Sequence, residues 1–380
     1  MFWRVYFLRL RKRRFNEVEL YAGQFIEPNA DVYHSPQWEG DYIGFLAQTK
    51  LLDIFKEVGY AEGELNVVFE LPGHGNAYVD CGKIRVKGCD NVKDHENGKV
   101  FGRFYKRNCR RKQCPICFEG WATAEAERAL IRFSSFVSGS REVDRLILKL
   151  KKQMRDSPMP KEVFHRELVL ELEKMVTAKD FRPIHVVLSP PMDTVVKTME
   201  DYRKLRKKAY RIAKESGLYG GAMINHPYRL RCSKCHSSIP DYKKKCPKCN
   251  GVEFEWFFSI HFHGVGYGWI KSTKEGYSKH GWIVKNLRVR KSVFATFQYL
   301  LSHAGVSRFH TTTWFGKLAY NVMRYVPKLG RVPELCPFCK RYLKPLVWVG
   351  GTDRGPPPME VSDDPLENCF LGDYADWRTI

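Results

Sequence analysis

The stretch from Trp256 to Val265 constrains the fold most, because its side chains alternate in type as the two faces of a strand require. One predicted face is apolar and needs a core: Phe254, Trp256, Phe258, Ile260 and Phe262. The other face carries His261 and His263 side by side, just before a run of spaced glycines. Two neutral imidazoles two residues apart on a strand can bind one divalent ion, although a pair of solvent-facing histidines would give the same pattern.

A helix predicted after this strand carries a second feature. Its apolar residues recur at helical spacing and form a stripe for the core: Val293, Phe294, Phe297, Leu300, Leu301 and Ala304. Tyr299 projects roughly opposite the centre of that stripe, and His303 follows one turn later on nearly the same side. If this side looks onto His261 and His263, the site would combine a metal ion, a third ligand and a phenol nucleophile, which suits phosphodiester transesterification. An ordinary surface tyrosine is the alternative.

Together these motifs resemble the HUH endonuclease superfamily, which includes rolling-circle replication initiators, relaxases and certain transposases. The family's upstream motif is an apolar strand ending in a small polar residue, and Ile184–Ser189 matches it. The three motifs follow the family's order over roughly residues 181–325. The sequences Tyr299–Ala304 and Thr313–Gly316 resemble replication initiators of archaeal plasmids and viruses most closely.

The resemblance implies a chemistry and a set of site residues. Tyr299 would be the nucleophile that forms a 5′-phosphotyrosine, and His261 and His263 would bind a catalytic Mn²⁺ or Mg²⁺ ion. The third ligand varies across the superfamily. His303 matches the helical position used by the single-tyrosine transposases, although those carry glutamine there, and His185 is the next candidate.

The order of predicted elements indicates an α+β fold. Strands are expected at 184–189, at about 221–230, at the histidine stretch, at 282–289 and near 310–320, with helices at about 193–216 and around Tyr299. The order β-α-β-β-α-β is that of a ferredoxin-like or RRM-like antiparallel sheet, which is also the fold of the HUH family.

Most of the cysteines fall into Cys-x-x-Cys pairs. The clearest set has zinc-ribbon spacing and predicts a closed tetrahedral site: Cys232, Cys235, Cys246 and Cys249. It sits between two predicted strands, so the ribbon is expected as an insertion at the tip of a hairpin. A pair of disulfides is the competing interpretation, which in an intracellular protein suits only a hyperthermophile.

The remaining cysteines predict a second and a third zinc site. The second uses a knuckle and residues before it: His95, Cys109, Cys114 and Cys117, with Cys89 or Cys81 as alternatives to His95. The third joins distant residues: Cys81, Cys89, Cys336 and Cys339. Two to three structural Zn²⁺ ions are therefore expected.

The charge of the chain points to a polyanionic partner. Its formal net charge is +22 at a pI near 9.5, which attracts nucleic acid or an acidic membrane surface. The helix at about 193–216 concentrates this charge on one side: Lys204, Arg206, Lys207, Lys208, Arg211 and Lys214. Abundant aromatic residues suit stacking on unpaired bases. Single-stranded DNA and double-stranded origin DNA are the expected partners.

Signals in the chain also bear on its location and its other partners. No apolar run is long enough to span a membrane, and the basic cluster after the N-terminus follows the apolar run, the reverse of a secretory signal. A cytoplasmic location is therefore expected. No phosphate-binding loop of the Gly-x4-Gly-Lys type occurs, so a host helicase and polymerase would be required.

Four regions are predicted along the chain. They are an N-terminal zinc-binding region at 1–118, a helical connector at 119–180, the endonuclease domain at 181–326 with the ribbon at 231–250, and a C-terminal extension at 327–380 with a knuckle and an acidic tail.

Three functional hypotheses follow. The first is a single-tyrosine endonuclease that nicks and rejoins DNA at a replication origin and so initiates rolling-circle replication. The second is an HUH transposase or relaxase. The third, from a different class, is a zinc-ribbon DNA-binding regulator in which His261 and His263 are structural.

Overall fold

The structure is a computed structural model that describes residues 68–349 and 377–379, apart from 96, 97, 99, 160, 178–181, 192, 240–244, 271, 272, 274–276, 278, 308, 309 and 333. Most of the N-terminal region and the acidic tail therefore lie outside the described residues. None of the helices in the described part is both long and apolar enough to span a bilayer.

The described chain is a mixed α+β protein with antiparallel sheets. Its strands are β1 (Ile84–Cys89), β2 (Phe101–Lys106), β3 (Ile184–Ser189), β4 (Leu218–Cys232), β5 (Phe254–Gly268), β6 (Ile283–Val289), β7 (Thr312–Gly316), β8 (Lys344–Trp348) and β9 (Trp377–Thr379). Its helices are α1 (Phe118–Ser138), α2 (Ser140–Asp156), α3 (Lys161–Thr177), α4 (Met199–Glu215) and α5 (Val293–Ser302). The predicted strand at 184–189 is confirmed, and α4 begins later than expected because Thr198 and Asp201 form a capping box.

A five-stranded sheet with the order β6-β3-β5-β4-β7 is the centre of the first compact unit, and every neighbouring pair in it is antiparallel. One face packs on α4, where Val186, Leu188 and Phe262 meet Tyr202 and Ile212 in a common core. The alternating residues of β3 and β5, which include the histidines, therefore face the opposite side.

Helices α1 and α5 pack on the histidine side of the sheet. The ring of Phe133 in α1 lies 5.5 Å from Tyr267 of β5 and 5.8 Å from Phe297 of α5, measured between centroids. The apolar stripe predicted for α5 is confirmed, because all of its members are buried. The histidine face is therefore covered by packed helices.

The β4–β5 ladder contains a bulge near the histidines. His226 and Tyr228 of β4 are two residues apart, whereas the residues opposite them in β5, His261 and Phe258, are three apart. Strand β5 therefore has one extra residue here. This shifts the alternation of β5 by one residue. Trp256, predicted to share the apolar face of the strand, instead stacks against the ring of His303 on the histidine side, with centroids 6.2 Å apart.

The second compact unit contains a four-stranded sheet with the order β2-β1-β8-β9. Its small core brings Val86 and Val100 together with Leu346 and Trp377, which lie far away along the chain. Both units are assembled from separate segments. Segments 77–109, 141–171 and 327 onward form this unit, and the first unit takes the segment before 77 together with 110–140 and 172–326.

Candidate functional site

Two neighbouring strands bring three histidines together. In the β4–β5 register, His226 pairs with His261, and Ile224 pairs with His263. One ring nitrogen from each of His226, His261 and His263 lies within 4.8 Å of the others. All three side chains are buried. The grouping contains the expected His261 and His263, and it adds His226, which was not singled out from the sequence.

Hydrogen bonds to carbonyl oxygens orient two of these rings. Nδ1 of His261 donates to the carbonyl of Ser259 at 2.9 Å, and Nε2 of His226 donates to the carbonyl of Leu300 at 2.8 Å. A neutral imidazole that donates through one nitrogen offers a lone pair on the other. Nδ1 of His226 is buried and has no hydrogen-bond partner among the described residues. Since an unsatisfied buried nitrogen is costly, the arrangement fits a bound metal ion.

The electrostatic setting keeps these histidines neutral. Burial holds the pKa of His226 well below its usual range, and the neighbouring histidines add to the effect. Burial and then the charge of Arg229 do the same for the pKa of His261, and burial does so for the pKa of His263. Neutral imidazole is the form that binds a divalent metal.

His185 supports His263 from the neighbouring strand. Its Nε2 lies 2.7 Å from Nδ1 of His263, while Arg290 donates to its Nδ1 at 2.5 Å. A guanidinium group has only donors, so Nδ1 of His185 accepts and Nε2 of the neutral ring donates to His263. His185, named as an alternative third ligand, is therefore placed as a hydrogen-bond partner of His263. In this arrangement the proton of neutral His263 lies on Nε2, and a metal at that nitrogen would require the proton to move to Nδ1 and the hydrogen bond with His185 to reverse.

Helix α5 carries Tyr299 and is anchored at its beginning. Ser292 caps the helix by accepting from the backbone N–H of Ala295, and Glu173 of α3 accepts from the Ser292 hydroxyl and from the N–H of Phe294, each at 2.8 Å. Burial raises the pKa of Glu173 to about 7. Tyr299 is partly exposed, whereas the rest of α5 is buried.

His303 lies between Tyr299 and the three histidines. Its ring centroid is 5.0 Å from that of Tyr299 and 4.2 Å from that of His226. It was expected as the third metal ligand, but the residue whose ring nitrogen lies within 4.8 Å of those of His261 and His263 is His226. The physical reason is that α5 ends at Ser302 and His303 has a non-helical φ of −133°, so it does not continue the helical turn above Tyr299.

The zinc-ribbon cysteines converge at the tip of the β4–β5 hairpin. Cys232, Cys235, Cys246 and Cys249 lie close enough to hold one ion. In each knuckle the residue after the second cysteine, His236 or Asn250, has a positive φ and donates its N–H to the carbonyl of the first cysteine at 2.9 Å. Hydrogen bonds from Ser237 lower the pKa of Cys235 to about 6, which favours the thiolate that zinc binds.

A second cysteine group in the four-stranded unit differs from the expected partition. It consists of Cys89, His95, Cys336 and Cys339, so His95 replaces Cys81. Cys336 Sγ lies 3.2 Å from His95 Nε2, and Cys89 Sγ lies 3.3 Å from Cys339 Sγ. The exchange arises because β1 ends at Cys89 and the short helical turn at 92–94 returns the chain, bringing His95 back beside that strand.

Among the described residues, the other cysteines form the third group, in which Cys81 takes the place predicted for His95. Its members are Cys81, Cys109, Cys114 and Cys117. The described chain thus contains cysteine and histidine groups compatible with structural zinc.

Comparison with known proteins does not assign the chain to a family. No family model, no curated protein and no solved structure matches it.

Proposed function

We propose that this chain is a metal-dependent single-tyrosine HUH endonuclease. It would nick and rejoin single-stranded DNA at a replication origin through a 5′-phosphotyrosine and so initiate rolling-circle replication. The observation that carries the proposal is the convergence of three buried imidazoles, from His226, His261 and His263, beside the helix that bears Tyr299.

The topology of the central sheet is compatible with a ferredoxin-like HUH domain. Strand β3, helix α4 and the β4–β5 hairpin follow one another, and β5 lies between β3 and β4. The sheet departs from the simplest β-α-β-β-α-β pattern at its edges, because β6 pairs with β3 and the strand after α5, β7, pairs with β4.

The donor set suggests which metal the site would take. Among the described residues, the group around His261 contains imidazoles and no carboxylate. Imidazole suits transition metals, whereas Mg²⁺ prefers oxygen ligands. We therefore favour Mn²⁺ over Mg²⁺ at this site. When bound, the ion would polarise the oxygens of the scissile phosphate.

The residues around Tyr299 account for the bonds made and broken. The phenol oxygen of Tyr299 forms a bond to phosphorus as the bond to the 3′ oxygen breaks, and that oxygen takes a proton and leaves as a 3′-OH. The ring of His303 lies beside Tyr299 and is the candidate acceptor of the phenol proton. Rejoining is the reverse reaction, in which a 3′-OH attacks the phosphotyrosine.

Two alternatives make different predictions. A transposase or relaxase would use the same chemistry on a different DNA sequence. A zinc-ribbon DNA-binding regulator would bind DNA without forming a covalent product, and the buried histidines would then be structural.

The test is covalent capture of a labelled single-stranded oligonucleotide on a denaturing gel, with and without Mn²⁺. We expect an adduct with the wild-type chain and with the control Tyr320→Phe, whose tyrosine is exposed and outside α5, and none with Tyr299→Phe. DNA binding by Tyr299→Phe should stay close to wild type, since only one oxygen is lost. Cleavage by Tyr299→Phe would contradict the assignment, and DNA binding without any adduct from the wild-type chain would favour the regulator.

A further inference from the structure

Helix α4 has one face in the core and one in solvent. Tyr202, Ala209 and Ile212 are buried against the five-stranded sheet. The opposite face carries exposed cations that the proposed chemistry does not use: Arg203, Lys204, Lys207, Lys208, Arg211 and Lys214. At about 100° per residue these six positions fall within an arc of roughly 140°. We call this set the α4 basic face.

The acidic residues of α4 leave most of this face without a counter-charge. Glu200 lies 3.7 Å from Arg203, Asp201 is held in the capping box with Thr198, and Glu215 pairs with His280. Within the described part of the chain, no salt bridge to a carboxylate is formed by the four cations further along the helix: Lys207, Lys208, Arg211 and Lys214. The positive charge of the α4 basic face is therefore available to a polyanion.

The α4 basic face and the histidine site lie on opposite sides of one sheet. Phe262 of β5 points into the core beneath α4, whereas its neighbours His261 and His263 point to the other side. A nucleotide held at Tyr299 is thus separated from α4 by the thickness of the sheet. Contacts at α4 must be made by a different part of the substrate.

We propose that the α4 basic face binds the phosphate backbone of double-stranded DNA next to the single-stranded segment that is cut. This rests on the proposed function for its role, because a nicking enzyme must hold the duplex that flanks its target. The distance from Arg203 to Lys214 is about 16 Å at ~1.5 Å per residue. This spans roughly five base-pair steps of a duplex, at ~3.4 Å of duplex axis per phosphate of each strand.

A membrane surface fits the α4 basic face less well. Helices that lie on bilayers pair a basic face with large apolar side chains that insert into the lipid. The exposed large apolar residues of the described chain include none from α4. The α4 basic face therefore offers cations for phosphates and no large exposed apolar side chain of its own.

The test compares two double variants of equal charge change. Lys207→Glu with Arg211→Glu reverses two cations of the α4 basic face, and the control, Lys149→Glu with Lys152→Glu, reverses two exposed lysines of α2. Binding of a labelled 20-base-pair duplex is measured by fluorescence anisotropy over a range of salt concentrations. The logarithm of the binding constant falls linearly with the logarithm of the salt concentration, and each lost phosphate contact should make this slope shallower by about 0.9. The slope of the α4 variant should therefore be shallower by roughly 2, and its affinity should be about tenfold or more weaker. The control should stay close to wild type.

Cleavage of a short single-stranded oligonucleotide separates this inference from the proposed function. Unchanged cleavage with weakened duplex binding supports the inference. If the wild-type chain does not cleave but the α4 variant still loses duplex affinity, the proposed chemistry fails, and duplex binding by the α4 basic face stands without its role in cleavage. Equal duplex affinity and slope in the two variants would overturn it. Loss of binding to anionic phosphatidylserine vesicles, with duplex binding unchanged, would overturn it in favour of a membrane.

Discussion

His226 lies directly opposite His261 in the β4–β5 ladder, next to the bulge of β5. Directly paired residues share a face of the sheet, with their Cβ atoms about 5 Å apart. The pairing therefore supplies a third imidazole from the strand that precedes the zinc ribbon. It also leaves His303 next to Tyr299, where an imidazole is placed to accept the proton of the proposed nucleophile.

We expect His226→Ala to weaken Mn²⁺ binding strongly, by about tenfold or more, because one ligand is lost. His303→Ala is the control from the same cluster and should bind Mn²⁺ nearly as the wild type does while cleaving more slowly. Isothermal titration with Mn²⁺ measures the affinity, and thermal unfolding monitors the fold. Weakened binding in His303→Ala alone would restore His303 as the third ligand.

His185→Ala should also weaken metal binding, because Nδ1 of His263 loses its partner at 2.7 Å. Removal of such a supporting group costs about 10- to 100-fold in metal affinity. The absorption spectrum of bound Co²⁺ distinguishes support from ligation: it should keep its shape in His185→Ala and change in His261→Ala. A changed spectrum in His185→Ala would identify His185 as a ligand.

Purified protein should contain three zinc ions per chain, and Cys336→Ser should lower the content by one. Cys336 lies beside His95 and in one small core with Cys89 and Phe101, so loss of the ion should also loosen the four-stranded sheet. Atomic absorption gives the zinc content. Cys369→Ser is the matched control, because the cysteine spacing assigns Cys369 to no site. Equal zinc content in the two variants would contradict the grouping around His95.

Glu173 should make stability depend on pH. Its pKa is raised by burial from the usual value of 4.5 to about 7, so the folded state binds a proton more tightly than the unfolded state does. Its contribution is full below pH 4.5 and is lost as the pH rises through about 7, by at most about 3 kcal/mol and less where solvent reaches the carboxyl. Urea unfolding at pH 5 and pH 8 measures the difference, and Glu173→Gln should reduce it. An unchanged difference in Glu173→Gln would place the pH dependence elsewhere.

The sequence was sufficient for elements whose pattern is local. The strand at 184–189, the apolar stripe of α5 and the ribbon cysteines follow from alternation, helical period and knuckle spacing. The third imidazole did not follow, because it depends on register. Cys232 pairs with Phe254 at the tip of the hairpin. If the ladder continued from this pair without a bulge, Asn225 would stand opposite His261 in place of His226. Likewise, which cysteine group contains His95 and which contains Cys81 depends on how segments far apart in the chain meet.

The long β4–β5 hairpin joins the ribbon at its tip to the histidines nearer its base. From Cys232 to His226 the strand runs about 20 Å at ~3.4 Å per residue. A slip of one residue anywhere along that ladder would turn every side chain of one strand to the opposite face. The ribbon closes the hairpin at a defined pair and, together with the bulge, sets which residue stands opposite His261. An error in closing the ribbon would therefore be felt about 20 Å away, as a change in the side chain that stands opposite His261.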